Sequence, residues 1–338
     1  MESIEFIDST LRDGNHALKQ KIDRKLVERY CEKVDCAGLY AVIVGHGNGL
    51  GASSLQVGLS LESDETLLTA AKMKLKKTRL GAYLIPGFGT IKDNIDPAIE
   101  YGVDLFKIGC HCTEADTTRQ HIEYAKFMNK EAYGILMMYH LAPTERIVAE
   151  AKKMQSYGAD AVIIMDSAGA STPEMVKKTV SELREQLDIK IGFHAHNNLS
   201  LAVANTYTAI QEGATIVDGT IRGLGAGAGN CQLEAVAALL TKEGYKLKLD
   251  LYRLFDASSE IVAPLMNPPF SGLDDISIVN GMAGVFSAFK THVLNAAKTF
   301  DVDARDILLE LGRQKVVAGQ EDKIIEIAEG IRRGLYNE

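Results

Sequence analysis

KIGFHAH, residues 190–196, decides the fold. An apolar, strand-like run ends in two imidazoles two residues apart, and side chains at i and i+2 of an extended strand leave the same face. His194 and His196 therefore converge on one point. Seven other runs share the form: EFIDST (5–10), YAVIVGH (40–46), RLGAYLIP (79–86), LFKIGCH (105–111), AYGILMMYH (132–140), AVIIMDS (161–167) and IVDGTIRG (216–223). Between them lie amphipathic segments of helical period, such as KLVERYCEKVDCAGL (25–39) and IVAEAKKMQSYGA (147–159), each ending near a glycine. Strands alternating with helices make parallel βαβ units, and eight units over about 250 residues is the count of a closed barrel. The expected fold is α/β, a (β/α)8 TIM barrel over residues 1–248. A doubly wound open sheet is the rival, but no GxGxxG follows the first strand.

Beyond residue 248 the alternation stops. LYRLFDASSEIVAPLM, VFSAFKTHVLNAAKTF, ARDILLELGRQKVV and EDKIIEIAEGIRRGLYNE read as helices, with a break at NPPFSG (267–272). Residues 249–338 thus form a helical C-terminal extension, too apolar on one face to be a free tail. It is expected to pack on the barrel, in a homo-oligomer or against a partner.

The net charge of −8, with both signs interspersed, argues against nucleic-acid or anionic-membrane surfaces. No apolar run approaches a membrane span, and the N-terminus lacks a basic start followed by an apolar core. Five cysteines, an odd number, fit a reduced cytoplasmic setting better than a disulfide framework. Cys110 and Cys112 resemble half of a zinc site, but no second pair follows, so they read as buried strand-end thiols.

Barrel chemistry gathers at the C-terminal ends of the strands. Arg12, Asp13 and His16 follow strand 1, His46 strand 2, His111 strand 4; His140 ends strand 5, Asp166 strand 6, and Arg222 to Asn230 follow strand 8. With His194 and His196, six of the eight histidines fall on this face. Strand 1 of a barrel neighbours strand 8, which neighbours strand 7, so Asp13 can approach both imidazoles. Two neutral nitrogens and one carboxylate form a facial set with open positions. Mn2+ is the first choice, with Mg2+, Co2+ and Zn2+ left open.

Such a site can chelate a 2-oxo acid and act as a Lewis acid. Arg12 is the candidate to hold the charge of an enolate, and a salt bridge to Asp13 or Asp166 is its bland role. His16, with an ordinary pKa near neutrality, is the candidate proton acceptor. GLGAGAGN (223–230) reads either as a phosphate cradle or as tight packing beside the metal, with Asn230 offering one more oxygen. No GxSxG occurs, and the glycine loop carries no thiol before Cys231.

LRDGNHAL (11–18), HGNGLGASS (46–54), IPGFGT (85–90), HCTEADTTRQHIEYA (111–125), LMMYH (136–140), MDSAGA (165–170), FHAHNNLSLAVAN (193–205), GLGAGAGN (223–230) and AGQEDKII (318–325) together resemble the 4-hydroxy-2-oxovalerate aldolases. These are metal-dependent pyruvate aldolases of the HMG-CoA lyase-like group, and the likeness runs from about residue 4 to residue 329. The resemblance implies Asp13, His194 and His196 as metal ligands. Arg12 would stabilise the enolate, and His16 would take the proton of the 4-hydroxyl as the C3–C4 bond breaks to give pyruvate and an aldehyde. Arg12, Asp166, Ser167, Phe286 and Asn230 are the expected substrate contacts. It also implies that the C-terminal helices dock an acylating aldehyde dehydrogenase, which receives the aldehyde through a channel.

Three positions depart from the family. GYAGVYSSF of the family reads GMAGVFSAF (281–289), so Phe286 replaces a tyrosine; Tyr139 replaces a usual serine; and Ala318 replaces a glycine expected to line the channel. Two rival readings remain. One is a Claisen-type acyl-CoA lyase or condensing enzyme of the same group, whose loop cysteine is absent here. The other is a non-catalytic partner subunit, although Arg12, Asp13, His16, His194 and His196 are all intact.

Overall fold

The computed structural model describes residues 3–266 and 274–336, so the expected break at NPPFSG (267–272) lies outside the described residues. The eight strands are β1 (Glu5–Asp8), β2 (Ala41–Ile43), β3 (Arg79–Leu84), β4 (Leu105–His111), β5 (Glu131–Met137), β6 (Ala161–Asp166), β7 (Lys190–Ala195) and β8 (Ile216–Gly219). They pair in parallel and in sequence order into a closed barrel. Closure comes from β1 against β8, Glu5 opposite Ile216 through Asp8 opposite Gly219. The segment after β1 therefore emerges next to β7 and β8.

A return helix follows each strand: α1 (Arg24–Val34), α2 (Asp64–Lys74), α3 (Asp96–Glu100), α4 (Arg119–Phe127), α5 (Thr144–Ser156), α6 (Pro173–Gln186), α7 (Ala202–Gln211) and α8 (Leu233–Lys242), with a further short helical turn at Gly14–Ala17 after β1. Their starts are written locally. Asp23 accepts the Leu26 N–H at 2.7 Å and Ser63 accepts that of Thr66 at 3.1 Å. Thr172 caps α6 just before Pro173, a residue suited to the first helical position.

The two-residue period of the strands sorts their side chains into two cores. Val42, Phe106, Ile108, Val162, Ile164 and Phe193 pack outward against the helices. Ile7, Ile43, Leu105, Tyr133, Ile163 and Ile216 fill the barrel interior. The same alternation that sends Leu105 and Ile216 inward also sends Lys107 and Asp218 inward, and they are fully buried with His194.

Helix α9 (Leu251–Ala257) lies on the barrel's flank, with Leu254 and Ala257 in the outer core and the Asp250 N–H donating to Ala37 O at 2.9 Å. Helices α10 (Asp275–Ala283), α11 (Lys290–Phe300), α12 (Ala304–Arg313) and α13 (Asp322–Arg332) follow later in the extension. Val293, Ile307, Leu311, Ile324 and Ile327 join, through Phe286 and Phe289, the same apolar cluster that fills the barrel. The extension thus closes over the mouth where the strands end. Among the described residues no helix is long and apolar enough to cross a membrane.

Candidate active site

Asp13 stands just past the end of β1, His194 near the end of β7 and His196 one residue beyond it. One ligand atom from each falls within 4.8 Å of the others. Both imidazole Nε2 atoms lie 3.9 Å from Asp13 Oδ2. The three side chains are buried; His194 Nδ1 faces Asp218 Oδ1 at 3.2 Å, whereas its Nε2 has no hydrogen-bond partner. A buried imidazole short of partners is costly unless a further group supplies them.

Asp13 is itself positioned. Its Oδ1 accepts from Asn230 Nδ2 at 2.8 Å and from the Ala226 N–H at 3.1 Å, and its Oδ2 accepts from Arg12 Nη1 at 2.7 Å. Burial opposes its ionisation, but the Arg12 guanidinium beside it outweighs that and holds the carboxyl well below the usual range. Burial pushes the His196 imidazole down to about 4. An ionised carboxylate beside a neutral imidazole is the protonation state a divalent cation requires. The donor set therefore fits such an ion, and Asn230 Oδ1, buried and without a hydrogen-bond partner, is a further oxygen beside it.

Arg12 forms the salt bridge to Asp13 and also stacks 4.8 Å from the Tyr83 ring centroid. Its Nε and Nη2 remain buried without protein acceptors, so one edge is held while the other is left for a ligand. His16, partly buried, shares a small cavity with Arg12, Asp13, His196 and Phe286. Burial holds its imidazole below its ordinary value, which keeps it neutral and able to accept a proton. Gln20 Nε2 lies 3.5 Å from its Nδ1, and Gly47 packs against the ring so closely that an added methyl would come within 2.6 Å.

The glycine loop packs rather than cradles. A methyl on Gly225 would come within 2.1 Å of Asn230 Nδ2 and 2.6 Å of Asp13 Oδ1, while the Ala228 N–H donates to Asn198 Oδ1 at 2.8 Å. Loop amides already held by protein acceptors are not free for a phosphate. The packing alternative therefore describes this loop.

Several residues on the active face also hold their own loops in place. His46 organises its own loop, accepting the Asn48 N–H and contacting Gly58 O, each at 3.0 Å. His140 contacts Gly284 O at 3.2 Å. The two Asp166 oxygens accept the Ala170 and Ser171 N–H groups, each at 3.0 Å, which holds the turn after β6 against the carboxylate. Ser167 likewise spends its hydroxyl on the Met138 N–H at 3.2 Å and its carbonyl on Ser287. Tyr139 packs against Phe193 in the outer core, ring centroids 6.2 Å apart, away from the site. Cys110 and Cys112 are free, buried thiols.

Phe286 lines both the site cavity and a second cavity of about 290 Å3. His111, Met137, Met138 and Ala318 line that second space too.

Comparison with known proteins defines the class first. Residues 3–261 match the HMGL-like family, and residues 272–333 match the DmpG-like communication domain. The chain is 49% identical over 336 residues to a 4-hydroxy-2-oxovalerate aldolase of Pectobacterium atrosepticum, covering 99% of this chain and 98% of the relative. It is 50% identical over 325 residues to 4-hydroxy-2-oxovalerate aldolase 2 of Salinispora arenicola, covering 96% and 93%. The chain belongs to the 4-hydroxy-2-oxovalerate aldolase family within the HMGL-like group. The fold alone is shared with the carboxyl transferase domain of Rhizobium etli pyruvate carboxylase crystallised with oxamate and biotin: TM-score 0.85 at 16% identity, covering 98% of this chain and 61% of that one.

Proposed function

We propose that this chain is a class II pyruvate aldolase, a carbon–carbon lyase that reversibly cleaves a 4-hydroxy-2-oxo acid of the 4-hydroxy-2-oxovalerate type to pyruvate and an aldehyde. The carrying observation is the buried Asp13, His194 and His196 set in a chain nearly half identical, end to end, to aldolases of that name. In this reading those three residues hold a divalent ion, with Mn2+ favoured for a mixed carboxylate and imidazole set. The ion supplies Lewis acidity toward the substrate's 2-oxo-acid end.

The remaining work falls to the chain. Arg12 presents its unpaired Nε and Nη2 to the negative charge that grows on pyruvate as the C3–C4 bond breaks. His16 takes the proton of the 4-hydroxyl, the bonding pair passes into the pyruvate enolate, and the aldehyde leaves. Reversal uses the same groups. Asn230 carries Asp13 and offers Oδ1 as one more oxygen. Phe286 and Met137 give the cavity apolar walls that exclude water. Asp166 and Ser167, where β6 ends, are the further substrate contacts in this reading. The Claisen-type alternative has no loop thiol to use, since Cys231 is fully buried.

EDTA is expected to suppress pyruvate formation from a panel of 4-hydroxy-2-oxo acids by ~100-fold or more, with recovery on adding Mn2+. Unchanged turnover in chelator would overturn the metal reading.

We assign catalysis to residues 1–248 and assembly to 249–338, where the communication-domain match supports an acylating aldehyde dehydrogenase as partner. The aldehyde would pass by way of the cavity that Phe286 and Ala318 line. A homo-oligomer and a cytoplasmic setting complete the reading. Phe286 lacks the hydroxyl that a tyrosine would offer an aldehyde oxygen, so the parent enzyme is expected to turn over both enantiomers of 4-hydroxy-2-oxovalerate. Phe286→Tyr should sharpen the preference by about tenfold, measured as the ratio of kcat/KM values. A parent enzyme already strongly selective for one enantiomer would refute this.

A further inference from the structure

We propose that Asp218 is the positioning residue that fixes the tautomer of His194, with Lys107 as its counter-charge inside the barrel; the inference rests on the metal reading above. Asp218 lies on β8 and Lys107 on β4, across the barrel, and Ser9 follows β1. All three, with His194, are fully buried. Asp218 Oδ1 lies 3.2 Å from His194 Nδ1 and accepts from Ser9 Oγ at 2.8 Å. Its Oδ2 pairs with the Lys107 ammonium, which also donates to Ser9 Oγ at 3.3 Å.

A buried ion pair is poor evidence of stabilisation, because apolar residues of like volume commonly do as well or better. Directly below it the barrel is filled with apolar residues such as Leu105 and Ile216. A charged pair in the next layer therefore calls for a second task. His194 supplies it. A carboxylate only accepts hydrogen bonds, so a neutral imidazole facing Asp218 must carry its proton on Nδ1. That leaves the lone pair on Nε2, the nitrogen nearer Asp13. Ion-binding histidines are generally oriented in this way by a partner behind them, and loss of that partner typically weakens metal affinity by about 10–100-fold. His196 is served differently, since its Nδ1 meets the Ala226 carbonyl at 3.4 Å. The two ligands are thus unequal, and His194 depends on a side chain.

Asp218→Asn tests this, because an amide can present an N–H to Nδ1 and so permit the opposite tautomer. A second variant, Lys107→Met with Asp218→Asn, removes both charges and keeps the interior filled. Mn2+ titration of the folded proteins by calorimetry is expected to show affinity reduced by about 10–100-fold in both. 15N spectra of histidine-labelled, metal-free parent protein, with the His194 signal assigned by its loss in His194→Gln, should show the proton on Nδ1 of His194. The Asp218→Asn spectrum should shift toward Nε2. Mn2+ affinity within threefold of the parent in both variants, or an Nε2 proton on His194 in the parent, would overturn the inference. The spectrum of the parent decides even if a variant fails to fold. A parent that binds no Mn2+ would instead overturn the metal assignment itself.

Discussion

Asp13→Asn is expected to lower Mn2+-dependent pyruvate formation by about 1000-fold, since in the proposed site it removes the one anionic ligand and with it several kcal/mol of charge stabilisation. It also exchanges an acceptor for a donor amid Asn230, Ala226 and Arg12, all of which now donate to that carboxylate. Asn230 and the loop should therefore shift as well. The check is a rate assay with a parallel Mn2+ titration: the two losses should move together, with the variant still folded by circular dichroism. Retention of metal-dependent turnover within tenfold would remove Asp13 from the ligand set.

His16→Ala should act on the other half of the reaction. Removing a positioned general base costs about 10^2–10^4 in kcat, whereas Mn2+ affinity should stay near the parent value because His16 is outside the ligand set. The split separates the two roles. Chelator sensitivity would be retained in the residual rate. If His16→Ala instead loses metal affinity as steeply as Asp13→Asn, the histidine belongs with the ligands and the proton acceptor must be sought elsewhere.

Much of this was legible in the chain because barrels write their pattern locally. The strands could be read from short apolar runs, and the convergence of Asp13 with the strand 7 imidazoles followed from the adjacency of strands 1, 8 and 7. Reading the face did not reveal the direction in which each polar side chain turns. His46 and Asp166 sit where expected but serve the N–H groups of their own loops. The pairing of Lys107 with Asp218 was invisible because the two are 111 residues apart, and the strand alternation that turns both inward is ordinarily read only as a division of apolar residues. LFKIGCH does carry the signal: a lysine at an inward position of a strand has to find an anion. The same holds for Asn198, whose amide joins the glycine loop to Ser287 of the extension at 2.8 Å. Asn198 stands inside the FHAHNN motif, where the histidines drew the attention.

Phe286 belongs to two rooms at once. With Ile85 and Met137 it borders both the small cavity beside Arg12 and His16 and the larger one reaching Val317, Ala318 and Gly319. In the proposed reading, selection for a different carbon chain and selection for a different companion enzyme must therefore bargain over the same few side chains. Engineering that repacks the C-terminal helices should announce itself first as altered handedness of the aldol product, before any loss of assembly.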